Sequence, residues 1–320
     1  MRNMNAPSLL DSIGRTPLAT LPRIGAGLPV PLLAKCEHLN PGGSVKDRIA
    51  LAIVDEAERS GRIAPGATLI EATAGNTGMG LALVAAARGY SLVCVMPEKM
   101  SVDKRVALRA LGARVIVTPN APLDDPRNFQ NVARGLAAER GWYLTDQFAN
   151  PANPLAHERS TGPEILGQAG GPISAFVAGA GTGGTLTGVA RCFERSSPRT
   201  RMVLADPAGS VLAEMVRSGR PGVDGAYQVE GIGSSRVPPN LELARVHRAE
   251  VVIDDESFAM TRRLWSEEGL LVGGSSGTAV VAALRVARES NPGDGAVVVL
   301  LPDSWDRYRS KEWAQPAGPD

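Results

Sequence analysis

Cysteine is scarce in this 320-residue chain, and Cys36, Cys94 and Cys192 are widely spaced with no Cys-x-x-Cys pair. That pattern excludes a disulfide framework and a structural zinc site, and leaves Cys36, inside the apolar run Leu32-Leu33-Ala34-Lys35-Cys36, as a buried strand thiol. Histidine is equally rare: His38, His157 and His247 show no metal-ligand spacing and read as surface or packing residues, so no metal is expected. Aromatics make up only 4% of the chain, and neither sign of charge dominates, with 34 Lys+Arg against 33 Asp+Glu. The basic residues are dispersed rather than interleaved with aromatics, which argues against a nucleic-acid partner. Long apolar runs are missing too; pieces such as Val297-Val298-Val299-Leu300-Leu301 have strand length, and the first residues lack a basic-then-apolar signal pattern. No membrane association is expected, and the location implied is cytoplasmic.

What is present is an alternation. Strand-length apolar runs at 32–36, 68–71, 92–96, 114–117, 175–178, 202–205, 250–253 and 296–301 are separated by helical patterns, which predicts an α/β fold with largely parallel sheet. Helices are predicted at 47–60, ending at Gly61, at 101–111, opening on Ser101 and closing at Gly112, and at 255–268, stopping at Gly269. Segments 119–127 and 218–239 are irregular, and the second reads as mobile chain near a site. The length suits two lobes. Asn150-Pro151-Ala152-Asn153-Pro154 marks the junction, giving a smaller substrate-binding lobe at 41–150 and a larger cofactor-binding lobe from 1–40 and 151–320. The tail at 315–320 reads as frayed.

Three glycine-rich loops carry the chemistry. Asn40-Pro41-Gly42-Gly43-Ser44-Val45-Lys46-Asp47-Arg48 delivers one lysine at the start of a helix, where an amine becomes a nucleophile if its pKa is depressed. Gly179-Ala180-Gly181-Thr182-Gly183-Gly184-Thr185 follows a strand and opens a helix, offering backbone N–H groups to a phosphate. It also satisfies G-x-G-x-x-G, with Asp206 where a dinucleotide fold keeps its ribose-binding acid, so a dehydrogenase is the competing reading. Against that reading, the motif falls past the middle of the chain, and the lysine loop is left without a use. Glu71-Ala72-Thr73-Ala74-Gly75-Asn76-Thr77-Gly78 brings hydroxyls, an amide and backbone donors to a helix start, as suits a carboxylate. A lysine, a phosphate cradle and a carboxylate cradle together describe pyridoxal phosphate holding an amino acid.

At this point the chain resembles the cysteine synthase and cystathionine β-synthase family, the β-family of pyridoxal-phosphate enzymes. The resemblance runs from Ile13-Gly14-Arg15-Thr16-Pro17 to Tyr308 and includes Met96-Pro97-Glu98-Lys99-Met100, Glu230-Gly231-Ile232-Gly233, Gly273-Gly274-Ser275-Ser276-Gly277 and Leu301-Pro302-Asp303-Ser304. It implies fold type II, tryptophan synthase β-like: two lobes, each an open, largely parallel twisted sheet flanked by helices. It implies that Lys46 carries pyridoxal 5'-phosphate and then acts as base at the substrate α-carbon. Gly181, Thr182, Gly183, Gly184 and Thr185 would bind the phosphate, and Asn76 the ring hydroxyl. Thr73, Ala74, Gly75, Asn76, Thr77, Gln147 and Gly231 would contact the substrate. Ser304 matches the family's partner of the pyridine nitrogen, provided that it, rather than Asp303, points inward. A hydroxyl there suits loss of a β-substituent better than a carboxylate would, and Ser304→Asp should reduce turnover severely.

The implied activity is β-replacement on serine or an O-activated serine by a sulfur nucleophile, giving cysteine or cystathionine. The alternatives are β-elimination, as in cysteine desulfhydrases or serine dehydratases, and attack by an amine. Partners are an amino acid, a small nucleophile and a second copy of the chain. Ala74 departs from the family's serine, which leaves substrate preference open. Ser234, Ser235 and Arg236 are candidates for the rim of the nucleophile pocket, with Arg236 either meeting a carboxylate or facing water. Nothing in these residues matches a haem-bearing extension or a regulatory module, so regulation of those kinds is not expected.

Overall fold

The computed structural model describes residues 8–73 and 75–315; Ala74 and most of the C-terminal tail lie outside the described residues. The strands are β1 (Leu18–Thr20), β2 (Leu32–Cys36), β3 (Thr68–Ala72), β4 (Ser91–Pro97), β5 (Arg114–Thr118), β6 (Tyr143–Leu144), β7 (Ile173–Gly179), β8 (Arg201–Pro207), β9 (Arg248–Val252) and β10 (Ala296–Leu301). The α-helices are α1 (Lys46–Arg59), α2 (Asn76–Arg88), α3 (Val102–Ala110), α4 (Phe129–Arg140), α5 (Ala152–Ala156), α6 (Gly162–Gln168), α7 (Gly184–Ser196), α8 (Leu212–Ser218), α9 (Asp254–Glu268) and α10 (Gly274–Arg288). Two sheets result, one in the order β1-β2-β10-β7-β8-β9 and one in the order β5-β4-β3-β6. Every pairing is parallel except β1 with β2.

The central strands of the larger sheet are apolar on both faces, and both faces are covered. β10, Ala-Val-Val-Val-Leu-Leu, is buried throughout, as a parallel strand between helical layers requires. Val297, Val299 and Leu301 pack with α10, while Val298 and Leu300 pack with Leu186, Val189 and Phe193 of α7 on the other side. Each such Val or Leu contributes about 2 kcal/mol relative to exposure. The smaller sheet repeats the plan, with Leu69 and Cys94 facing α1 and α2, and Ile70 and Val93 facing α4.

The chain leaves the four-stranded sheet after β6 and reaches the six-stranded sheet at β7. Between them the Asn-Pro segment forms helix rather than an open turn: Asn150 Oδ1 accepts from Ala152 N at 3.0 Å, and Pro154 occupies the first turn of α5, where its missing N–H costs nothing. A π-helical turn, His157–Thr161, joins α5 to α6. Strands β1 and β6, of three and two residues, are too short for a period-2 signal and were not expected from the sequence. Segment 119–127 carries neither helix nor strand, and 219–242 is likewise irregular and reaches the cavity described below.

Candidate active site

All three glycine loops end at one cavity of about 730 Å³ between the two sheets' C-terminal edges. Its wall brings together Lys46, Thr73, Gly75, Asn76, Thr77, Gln147, Gly181, Thr182 and Gly231, as the sequence led us to expect, together with Ser275 and Asp303.

Lys46 is the first residue of α1 and is delivered by a turn that only glycine serves well. Gly43 has φ +75° and donates to Asn40 O at 2.7 Å, and a Cβ there would stand 2.8 Å from the Arg307 guanidinium. Gly42 N donates to Asp47 Oδ2 at 2.5 Å, which ties the turn to the helix it opens. The loop is stitched to the 302–304 segment by Val45 N to Pro302 O at 2.8 Å and Ser304 N to Gly43 O at 3.2 Å. Burial pushes the Lys46 amine below its ordinary pKa, opposed by the charges of Asp303 and Glu37.

In the second loop, Thr73 Oγ1 accepts from Gly75 N at 2.9 Å and Gly78 N at 3.3 Å, so its own proton is left to donate toward the cavity. The N-cap residue of α2, Gly75, has no side chain to cap the helix, and with Gly78 N taken by Thr73 the Asn76 and Thr77 amides are left as anion donors. Gln147 has both amide hydrogens in use, toward Glu71 Oε1 at 3.1 Å and Ala72 O at 3.0 Å, and its Oε1 accepts from Thr77 Oγ1 at 2.5 Å. Glu71 is fully buried beneath it, also accepts from Thr145 and the Gln147 N–H, and is pushed up to about 7 by that burial. Ala74, expected at the carboxylate, lies outside the described residues.

In the third loop, Gly183 takes φ +83° and starts α7 with no side-chain cap, so bare N–H groups and the positive end of the helix dipole point outward. A Cβ at Gly184 would overlap the Asn153 amide, and one at Gly181 would overlap Gly231 O. Gly181 and Thr182 reach the cavity wall, while Gly183, Gly184 and Thr185 form the adjoining loop and first helical turn. Thr185 Oγ1 is held at 3.2 Å by Nε2 of His157, whose Nδ1 pairs with Thr161 Oγ1 at 2.9 Å; burial pushes this imidazole down to about 3, so it is neutral. The π turn brings that histidine under the phosphate loop, a role the sequence did not signal. Asp206, the candidate ribose acid, is turned inward at the end of β8 and accepts from Ala213 N at 2.8 Å, which leaves the dinucleotide reading without its acid.

Ser304 does not face the cavity, and this corrects the expectation. Asp303 and Ser304 are adjacent in extended chain, bridged to Ser44 and to Val272 respectively, so their side chains leave on opposite sides. Asp303 is the inward one, 1% exposed; Ser304 caps the following 3₁₀ turn, its hydroxyl donating to Asp306 Oδ2 at 3.0 Å. Ser275, 2% exposed in the first turn of α10, does line the cavity, and no side chain caps that helix. The signal for it was the Gly273-Gly274-Ser275-Ser276-Gly277 run at a helix start.

Lys104 of α3, also unforeseen, lies along Gly75, where a Cβ would come within 2.6 Å of its Cδ. Its ammonium pairs with Glu230, which also binds Lys311 at 2.7 Å, and sits 4.6 Å from the Tyr308 ring centroid. Burial raises Glu230, but the two lysines outweigh it and hold the carboxylate below its usual range.

The donor set fits pyridoxal phosphate: an uncapped helix start for the phosphate, a depressed lysine for the aldehyde, and buried polar atoms without a described partner at Asn76 Oδ1 and Asp303 Oδ1. Among the described residues no group of His, Cys, Asp and Glu is placed to hold a metal ion, and no helix is long and apolar enough to cross a membrane.

Comparison with known proteins agrees with this geometry. Residues 9–303 match the family described as pyridoxal-phosphate dependent enzyme. Cystathionine beta-synthase of Rattus norvegicus is 48% identical over 309 residues, covering 95% of this chain and 55% of the rat protein, so the chain spans about half the length of that relative. Among solved structures, an O-acetylserine dependent cystathionine beta-synthase from Helicobacter pylori is 40% identical with a TM-score of 0.88, covering 96% of this chain and 98% of that one. An O-ureido-L-serine synthase is 37% identical with a TM-score of 0.90, covering 98% of both chains. The chain therefore belongs to the pyridoxal-phosphate-dependent enzyme family, as a fold type II enzyme of the cystathionine β-synthase and cysteine synthase type that uses pyridoxal 5'-phosphate.

Proposed function

We propose that this enzyme performs β-replacement on serine or an O-activated serine such as O-acetylserine, with a sulfur nucleophile, giving cystathionine or cysteine. The observation that carries the reading is Lys46, a lysine with a depressed pKa, in the same cavity as the uncapped start of α2 with its Thr73 hydroxyl. When bound, pyridoxal phosphate supplies an electron sink for the charge left at the α-carbon.

The chain's own residues do the rest. The α7 N-terminus and Thr182 hold the phosphate. Asn76 would bind the ring hydroxyl. Ser275, which lines the cavity where Ser304 does not, would donate to the ring nitrogen. The α2 amides and the Thr73 hydroxyl hold the substrate carboxylate; Gln147 acts through Thr77, since both its amide hydrogens are committed. Lys46 takes the α-proton as the β-substituent leaves.

The nucleophile is assigned to a second hollow of about 370 Å³ that shares Pro97, Lys99, Phe129, Phe148, Ser234 and Ser235 with the main cavity. Lys99 and Arg236 line it and, among the described residues, no acidic residue does; Arg236 Nη2 donates to Gln130 Oε1 at 3.2 Å. Hydrosulfide needs neither that room nor two cations, whereas a thiol amino acid uses both. This favours homocysteine-like nucleophiles and cystathionine as product.

A panel of nucleophiles against O-acetylserine, serine and O-phosphoserine, with products identified by mass, tests the reading. Arg236→Ala should raise KM for a carboxylate-bearing thiol about tenfold, the effect of losing one charge-assisted hydrogen bond, and leave sulfide unaffected. Pyruvate release at full rate without any thiol would replace synthase by eliminase. The reading extends to a smaller lobe at 41–150 closing over substrate, and to a cytoplasmic homodimer, whose mass in solution is directly measurable.

A further inference from the structure

Of the carboxylates that line the cavity, Asp224, Glu230 and Asp303, none has a part in the reaction as assigned, and Asp303 is the most deeply buried. Asp303 is 1% exposed, and its Oδ2 accepts two hydrogen bonds at 2.6 Å, from Asn76 Nδ2 and from the Tyr308 hydroxyl. Its Oδ1 is buried without a partner among the described residues. A buried carboxylate satisfied on one oxygen only is costly, and an apolar or amide residue would avoid that cost.

Its surroundings hold it rigidly. Asp303 O accepts from Gly273 N at 3.0 Å, and residue 303 bridges Ser44, two residues before Lys46. Tyr308 is fixed in turn between the Lys104 ammonium and the Trp313 ring, 5.4 Å away between centroids. The segment thus touches the lysine loop and the α10 loop through its backbone, and α2 through its side chain.

We propose that Asp303 is a positioning residue that acts through two others: it clamps the Asn76 amide in the cofactor pocket, and its charge acts on the Lys46 amine, with which it lines one cavity. The proposal rests on Lys46 being the reactive lysine, not on which amino acid or nucleophile is used. Of the two carboxylates that act on Lys46, Asp303 acts more strongly than Glu37, which follows β2 and is bound by Arg48 at 2.8 Å. His157, from the π turn, is neutral. His38, beside Glu37, is likewise pushed down by burial. Asp303 therefore offsets part of the desolvation of Lys46 and keeps its depressed pKa from falling further. Because one amide oxygen also accepts two hydrogen bonds, Asp303→Asn removes the charge and retains the clamp, whereas Asp303→Ala removes both.

The test is the pH profile of Lys46 carbamylation by cyanate in the full-length chain freed of cofactor, followed by peptide mass, beside the dissociation constant for added pyridoxal phosphate. In Asp303→Asn the midpoint should move down by about one unit, so that labelling at a fixed pH below both midpoints is about tenfold faster. Cofactor affinity should stay within about twofold in Asp303→Asn and weaken about tenfold in Asp303→Ala, the size expected for one lost buried hydrogen bond. An unmoved midpoint in a natively folded Asp303→Asn overturns the charge role, and equal affinity losses in the two variants overturn the clamp. Should Asp303→Ala not fold, the labelling of Asp303→Asn still decides the charge role. A weakened cofactor in Asp303→Asn alone would then decide against the clamp. Since neither substrate nor nucleophile is present, a wrong choice of reaction would leave both readouts unchanged.

Discussion

Ser275 opens α10 from a glycine-rich turn and Ser304 follows β10, and their surroundings separate them. Ser304 spends its hydroxyl on Asp306, while Ser275 opens into the cavity from the start of α10. Ser275→Asp should lower kcat by about a hundredfold or more, because a carboxylate would hold the ring nitrogen protonated; Ser304→Ala should leave kcat within about twofold. Steady-state turnover of the two variants decides the assignment, and the reverse pattern would restore Ser304. Glu71 gives a second prediction. Its folded pKa of about 7 lies above the ordinary carboxylate value, so the folded state keeps a proton that the unfolded chain releases between about pH 4.5 and 7. Stability from this group is present below that window and declines as pH rises through it. Glu71→Gln should therefore lose on the order of 2 kcal/mol less stability than the native chain between pH 5 and pH 8 in denaturant titrations; parallel losses would refute the assignment. Asp47, pushed up by burial to about 7, and Asp206, pushed to about 6, act in the same direction and remain in both proteins.

Among the elements, α7 shows how a helix start becomes a phosphate site. Its first turn carries no cap, and its second turn must lie almost against the π segment that bears His157. Gly188 makes that approach possible: a Cβ there would overlap Pro154 O and come within 2.7 Å of His157 Cβ. Gly188→Ala should destabilise the fold by about 2 kcal/mol through overpacking and weaken cofactor binding, seen as a lower Tm and a higher cofactor Kd. A higher Tm, as expected from helix propensity alone, would show that the contact yields. Elements with strong periodicity were legible beforehand: β2 and β10 fall on the predicted residues, and α1, α3 and α9 within one or two of theirs. β1, β6 and the π turn were not legible, because two or three residues carry no period and a π turn has no sequence signature.

For the molecule as a whole, a buried ion network behind Lys46 ties α1 to β2 and α6. Arg48 of α1 binds Glu37, just after β2, and Glu164 of α6 at 2.7 Å, and Glu164 also binds Lys35 at 2.7 Å. Burial raises the Glu164 carboxyl, but Arg48 and Lys35 outweigh it and hold it near 2. Stability from Glu164 is therefore present above about pH 4.5 and lost as pH falls toward 2. Glu164→Gln should cost about 3 kcal/mol at pH 7, by leaving two buried cations short of a partner, and should lose less than the native chain between pH 5 and pH 3. Urea titrations at the three pH values check both. What the sequence determined by itself was the chemistry and most of the architecture: strands apolar on both faces require covered parallel sheets, and glycine loops at helix starts are local structures whose donors follow from backbone geometry. Tertiary structure decided which neighbour faces the cavity. That Asp303 turns in and Ser304 out, that His157 supports Thr185, and that Lys104 meets Glu230 all depend on how distant segments pack, which no local pattern encodes.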